Sequence, residues 1–347
     1  MLAFGAMRVM EPTPFGKYTL LKTVICDGAS VGYRARTTSE SGAESMVFVR
    51  QPYSHMLRYP EFVAGYLDDA RIAMRFGHAN LIRGLDFGQV QDTPYVVTEW
   101  VDGEALCRVL WAARRKGRKG FPAPVAVSIA SEIARALHAT HLLRDEHDVP
   151  LGLVRREIYS GSVFLSFNGE VKVDALGWHR KEHPAWSAGV LRGKVMYFSP
   201  EQARGRPLDG RSDVYVLGLL LFQMLCGEIA NNGEHDHARI MQVSEGRLQS
   251  ARALNPSLDP SLVEILEKAL SVSPDDRYPS AEAFALALDE WRCSVDSEDP
   301  SDARRALMAE FHPERVEVRL PRPPIRPPEA PSLVERIKRW VLPGRAR

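Results

Sequence analysis

The strand and helix signals of this chain are segregated along its length, and that separation constrains the fold most. Residues 18 to 101 read as short strands. KYTLLKTVI, VGYRAR, ESMVFVR and TPYVVTEWV are rich in Val, Tyr and Phe and are parted by turn signals such as Asp27-Gly28 and Ser41-Gly42. One helix interrupts them at about Glu61 to Phe76, where Phe62, Tyr66, Leu67, Ala70 and Ala73 recur at helical spacing. Residues 102 to 292 read mainly as helices. Val127, Ile129, Ala130, Ile133, Ala134, Leu137 and His141 share a face of the segment Ala123 to Leu143, and further helices are expected at Ser212 to Leu225 and Ser261 to Ala269. A strand-rich first quarter followed by a helical body predicts an α+β chain of two lobes.

Composition narrows the function. With 45 % hydrophobic and 26 % charged residues among 347, the chain suits a soluble globular protein and not a disordered or collagen-like one. Forty-five Lys+Arg against 44 Asp+Glu leave a formal net charge of +1, so no nucleic-acid partner is expected. The four cysteines, Cys26, Cys107, Cys226 and Cys293, form no CxxC pair and read as reduced cytosolic thiols, with no zinc site. The first residues lack the sustained apolar core of a signal peptide. The longest apolar stretch, Val214 to Cys226, suits a buried helix better than a membrane span.

The tail differs. Residues 319–331 hold six prolines in thirteen positions and read as an extended linker. In residues 332–347, Leu333, Val334, Ile337, Trp340 and Val341 form an apolar stripe opposite Arg336, Lys338 and Arg339. This basic amphipathic helix suits an anionic membrane surface, a partner groove, or docking on the body of the protein. A short helix is expected at Ala303 to Phe311, and the basic run Arg114 to Lys119 reads as a solvated connector or an anionic-partner site.

Seven collinear phrases carry a resemblance over residues 15 to 292: FGKYTLLK, DDARIAMRFGHANLI, PYVVTEWVDGEAL, PLGLVRREIYSGSVFLSFNGEVKVDALG, GKVMYFSPEQARG, RSDVYVLGLLLFQMLCGE and DDRYPSAEAF. The chain resembles the bacterial eukaryotic-like (Hanks-type) serine/threonine protein kinases. The resemblance implies a two-lobed kinase-like fold, with a small antiparallel β-sheet lobe holding one helix and a larger helical lobe. The expected divisions are an N-terminal extension (1–14), a small lobe (15–101), a large lobe (102–293), a short helical extension (294–318), the Pro-rich linker (319–331) and the basic amphipathic helix (332–347). It also implies structural roles for Arg156, Gly177, Glu201, Asp213 and Arg277, with Glu201 and Arg277 as an ion pair.

The positions that the resemblance assigns to chemistry are altered. The glycine-rich loop reads Ile25-Cys26-Asp27-Gly28-Ala29-Ser30, with Ile25, Asp27 and Ser30 at its glycine positions; side chains there obstruct close approach to phosphates. Arg50 stands for the phosphate-pairing lysine and Asp69 for its helix glutamate. Glu157 stands for the catalytic aspartate, Ser162 for the asparagine that binds the second metal, and Ala175 for the principal metal aspartate. Asp174 is adjacent to Ala175, but neighbours on an extended segment point to opposite sides.

Phe48 replaces the alanine that roofs the adenine pocket, Gly32 replaces a valine there, and Phe164 lies below; Glu99 and Val101 complete the pocket. Phe48 either fills the pocket from above or turns into the small-lobe core. Ser187 is a candidate phosphosite, which Arg156 could meet, or a solvated loop serine; Trp178 and Trp186 are candidate interface anchors or packing over the cleft.

These substitutions strike the loop, the lysine, the base and both metal ligands while sparing the scaffold. They lead to the expectation of a pseudokinase: a regulatory or scaffolding module of bacterial phospho-signalling, not an enzyme, without metal or cofactor. Its expected partner is a protein such as an active kinase, and its place is the cytoplasm, peripheral to the membrane if residues 332–347 bind there. The alternatives are a divergent active ATP-dependent serine/threonine kinase and a nucleotide switch that binds ATP without magnesium.

Overall fold

The computed structural model describes residues 9–26, 29–39, 41–155, 158–174, 176–177, 179–180, 195–295 and 298–312. The small lobe is an antiparallel sheet of β1 (Val9–Phe15), β2 (Tyr18–Cys26), β3 (Ser30–Thr38), β4 (Glu44–Pro52), β5 (Gly84–Val90) and β6 (Thr93–Glu99), in the order β1-β2-β3-β4-β6-β5. β1 pairs with β2, so the sheet begins inside the segment read as an N-terminal extension. Alternation puts Tyr18, Leu20, Ala35, Val47, Val49 and Val97 into a core of their own. Helix α1 (Pro60–Ala73) crosses between β4 and β5 and buries Phe62, Tyr66, Ala70 and Ala73 against the large-lobe core.

The large lobe is built around the helix Gly210–Cys226, which is buried almost all round. Asp209 caps its start, and Gly227 ends it in the left-handed conformation (φ 70°), where a Cβ would lie 1.9 Å from the Lys119 carbonyl oxygen. Helix α2 (Leu106–Arg115) and helix α3 (Ala123–His141) precede it in the chain, and α3 packs against it. Four short strands follow β7 (Gly103–Ala105): β8 (Leu153–Val154), β9 (Val163–Ser166), β10 (Val171–Val173) and β11 (His179–Arg180). β9 and β10 form a hairpin beside β7, and β8 pairs with β11.

The last helix among the described residues, the terminal helix Pro300–Phe311, packs back on α3, α2 and β9. Its far end takes up part of the basic run: Arg118 binds the Glu310 carboxylate at 2.7 and 2.9 Å, and Lys116 donates to the Glu310 carbonyl oxygen. Arg114 pairs with Glu228. Among the described residues no helix is long and apolar enough to cross a membrane.

Candidate active site

The site lies where β4 faces the β9–β10 hairpin. Along β4, Val47 and Val49 are buried in the small-lobe core, so Phe48 and Arg50 take the opposite face. Along β10, Val171 and Val173 are buried in the large-lobe core, so Lys172 and Asp174 share the face that meets them. Arg50 Nη2 donates to Asp174 Oδ2 at 2.9 Å, with the two side chains 11 % and 16 % exposed. The same strand rule that set Asp174 apart from Ala175 puts it on the face of Lys172, in the cleft.

Asp174 is held firmly. Its backbone N–H donates to the Ser162 carbonyl oxygen, Arg155 donates to its carbonyl oxygen, and the Leu176 N–H donates to Oδ1. Burial pushes its carboxyl upward, but the charges of Arg50 and Arg155 and the two hydrogen bonds outweigh burial, so it stays below the usual carboxylate range. Reading by motif sets Asp174 aside and does not single out Arg155 or Lys172 as site residues; the alternation of valines with Lys172 and Asp174 is the sequence signal for their shared face.

Phe48 takes the cleft face and not the small-lobe core. A Cβ built on Gly32 would lie 2.2 Å from Phe48 Cζ, so the ring occupies the space that a side chain at residue 32 would fill. The Arg50 guanidinium lies 5.4 Å from the ring centroid. Phe164, on the floor, is half-buried against the large-lobe core. Glu99 at the lobe junction accepts from Lys172 Nζ at 2.9 Å and from the Arg83 N–H at 3.1 Å, and Val101 packs on the large-lobe core. Ser30 is buried at the start of β3, and Ile25 pairs with Gly32 in the sheet register.

The remaining positions divide. Asp69 is half-buried on α1, and the carboxylate that Arg50 bonds at 2.9 Å is Asp174, across the cleft. Ser162 is buried and its hydroxyl donates to the Tyr159 carbonyl oxygen. Gly177 adopts φ +90°. Arg156, Glu157, Ala175, Trp178, Trp186, Ser187, Asp27 and residues 319–347 lie outside the described residues. Among the described residues no group of three or more His, Cys, Asp or Glu side chains could hold a metal ion by itself. Burial pushes the Cys107 thiol up to about 11, so it is protonated near neutral pH.

Below the cleft, Asp213 is buried and accepts from the Arg155 N–H at 3.0 Å, with His141 Nε2 at 2.8 Å on the same oxygen. Arg277 uses all five of its N–H donors: two meet Glu201 at 2.7 and 2.8 Å, and three meet the carbonyl oxygens of Arg211, Ser271 and Val272. Glu201 sits in the first turn of a helix whose start is fixed by a capping box between Ser199 and Gln202.

The protein kinase domain family profile matches residues 59–287 of this arrangement. The chain belongs to the protein kinase family. It is 34 % identical over 278 residues to the tyrosine-protein kinase MasK of Myxococcus xanthus, covering 80 % of this chain and 43 % of that protein. It is 31 % identical over 253 residues to the serine/threonine-protein kinase Pkn1 of the same organism, covering 70 % and 34 %. The chain thus spans less than half the length of these curated relatives. Among solved structures, the PknI kinase domain of Mycobacterium tuberculosis shares the fold, with a TM-score of 0.62 and 21 % identity over 83 % of this chain and all of that one.

These relatives overturn the expectation that the chain is not an enzyme, since they are named as serine/threonine and tyrosine kinases. Beside the alanine at position 175, the Asp174 carboxylate meets Arg50, the basic residue of β4.

Proposed function

We propose that the chain is a divergent ATP-dependent serine/threonine protein kinase. The Arg50–Asp174 pair carries this reading: a cation and an ionised carboxylate held 2.9 Å apart between strands of the two lobes. Phosphoryl transfer asks a protein chiefly for positioning and charge stabilisation. Arg50, steadied by the Phe48 ring, offers N–H donors suited to phosphate oxygens. Magnesium is usually bound through one or two carboxylates, with phosphate oxygens and water completing its shell, and Asp174 is a carboxylate of that kind. Magnesium bound there with ATP would offset charge on the transferring phosphoryl group. By resemblance, Glu157 is the base that takes the proton of the substrate hydroxyl. The kinase names of the relatives support the same reading.

The test is phosphate transfer from labelled ATP with magnesium, using the whole chain with casein and myelin basic protein as probes. The expected result is labelled serine or threonine, lost at least a hundredfold in Asp174→Asn and in Glu157→Gln. Transfer by the unsubstituted chain no greater than by Glu157→Gln would overturn the reading.

A further inference from the structure

The terminal helix Pro300–Phe311 lies outside the matched kinase segment, yet it reaches the strands that carry the cleft residues. Its buried face is Arg304, Leu307, Met308 and Phe311, spaced three and four apart. Arg304 is 4 % exposed, an unusual place for arginine unless it is paired. Nε donates to the Gly169 carbonyl oxygen at 2.6 Å, Nη1 to Ser128 Oγ at 3.2 Å, and Nη2 meets Glu132 Oε1 at 2.6 Å.

Two of these contacts lead to the β9–β10 hairpin. Gly169 is its turn, at φ +84°, and a Cβ there would lie 2.3 Å from the Ser301 carbonyl oxygen. The hairpin turn therefore rests directly on the first turn of the helix. The second route runs through Glu132, whose other oxygen accepts from Asn80 Nδ2 at 2.7 Å. Asn80 also donates to the Val171 carbonyl oxygen at 3.0 Å, and its own carbonyl oxygen accepts from the Val173 N–H at 2.8 Å. Val173 precedes Asp174. Phe164, Lys172 and Asp174, the cleft residues of the large lobe, all belong to this hairpin or the residue after it.

We propose that the terminal helix sets the floor of the cleft, with Arg304 as a positioning residue that acts on Asp174 through Gly169 and the Glu132–Asn80 link. The nucleotide consequence rests on the kinase reading above; the structural consequence does not. Without Arg304, the Glu132 carboxylate loses its cation and the hairpin turn loses its donor. A separate polar grip on the helix, Arg118 on Glu310, touches the α2–α3 connection and leaves the hairpin alone, which makes it the internal control.

The experiment compares Arg304→Met with Arg118→Ala in the whole chain, by hydrogen exchange and by calorimetric titration with magnesium–ATP. Arg304→Met should speed exchange at the Val173 and Asp174 amides at least tenfold and weaken ATP binding about tenfold, while Arg118→Ala changes neither. Should Arg304→Met not fold, Glu132→Gln carries the same expectation from the other partner. If residues 300–311 lose protection while Val173 and Asp174 keep theirs, the helix is a buttress only and the proposal fails. An unsubstituted chain that binds no nucleotide would count against the kinase reading alone, and the exchange comparison would still decide this one.

Discussion

Arg50 on β4 and Asp174, the residue after β10, form an ion pair that joins the two lobes across the cleft, 124 residues apart in sequence. Each side chain is mostly out of water, so neither charge is cheap to leave alone. Asp174→Asn should therefore lower stability by roughly 3 kcal/mol, the low end for a broken buried pair, because both groups keep some exposure. Combining it with Arg50→Met should recover part of that loss, since the cation that faced the carboxylate is then gone. Urea unfolding of the four proteins in the cycle checks this. Strictly additive losses would mean that the two side chains are not coupled.

The exchange of Gly32 and Phe48 against their usual partners predicts a reciprocal pair of variants. Gly32→Val puts side-chain carbons into the Phe48 ring, and overpacking of this kind costs roughly 1–3 kcal/mol. The ring is then forced toward the cleft, and ATP affinity should fall at least tenfold. Adding Phe48→Ala to Gly32→Val removes the collision and should restore affinity to within a few-fold of the starting value. Titration calorimetry on both variants decides the matter. A double variant as poor as the single one would show that the ring is not the obstacle.

The lobes and the buttressing residues were legible because each depends on patterns that survive in one sequence. Glu201 and Arg277 follow from collinear phrases, and the buried helix Gly210–Cys226 follows from the largely apolar run Val214 to Cys226, interrupted only at Gly218 and Gln223. The cleft was less legible for three separate reasons. Phe48 had two rotameric fates, and the choice depended on the space over Gly32, which is a neighbour only across the sheet. Asp174 was judged against Ala175 when Lys172, two residues away on the same face, was the informative comparison. Arg304 sits next to Arg305 in no recognised motif, and its partner Glu132 lies far away in the chain.

Arg277 should be among the most costly residues of the large lobe to remove. Its side chain is fully buried, and every donor is occupied. Arg277→Met would leave the Glu201 carboxylate without its cation and remove the Arg277 hydrogen bonds to three carbonyl oxygens, a loss of roughly 3–5 kcal/mol. Arg277→Lys keeps the charge but not the planar fork, and should recover less than half of it. Thermal unfolding reads both. A melting temperature unchanged in Arg277→Met would mean that the pair contributes nothing to the folded lobe.

The same pair should contribute to acid stability. Burial alone would raise the Glu201 carboxyl, but the hydrogen bonds from Arg277 and Ser212 and the guanidinium charge hold it below its ordinary value, as Arg50 and Arg155 do for Asp174. A carboxylate depressed in the folded state binds protons more readily once unfolded, so unfolding takes up protons as the solution is acidified. The stabilisation is complete above the unfolded carboxylate range of about 4 and is lost as pH falls through the lower folded values. Melting temperature should therefore be nearly flat from neutral pH to about 5 with respect to these two groups and then decline. Glu201→Gln should melt lower at neutral pH and decline less steeply in acid, because one linked proton is gone. Parallel curves for the two proteins down to pH 3 would assign the acid limb to other carboxylates and leave Glu201 unlinked to unfolding.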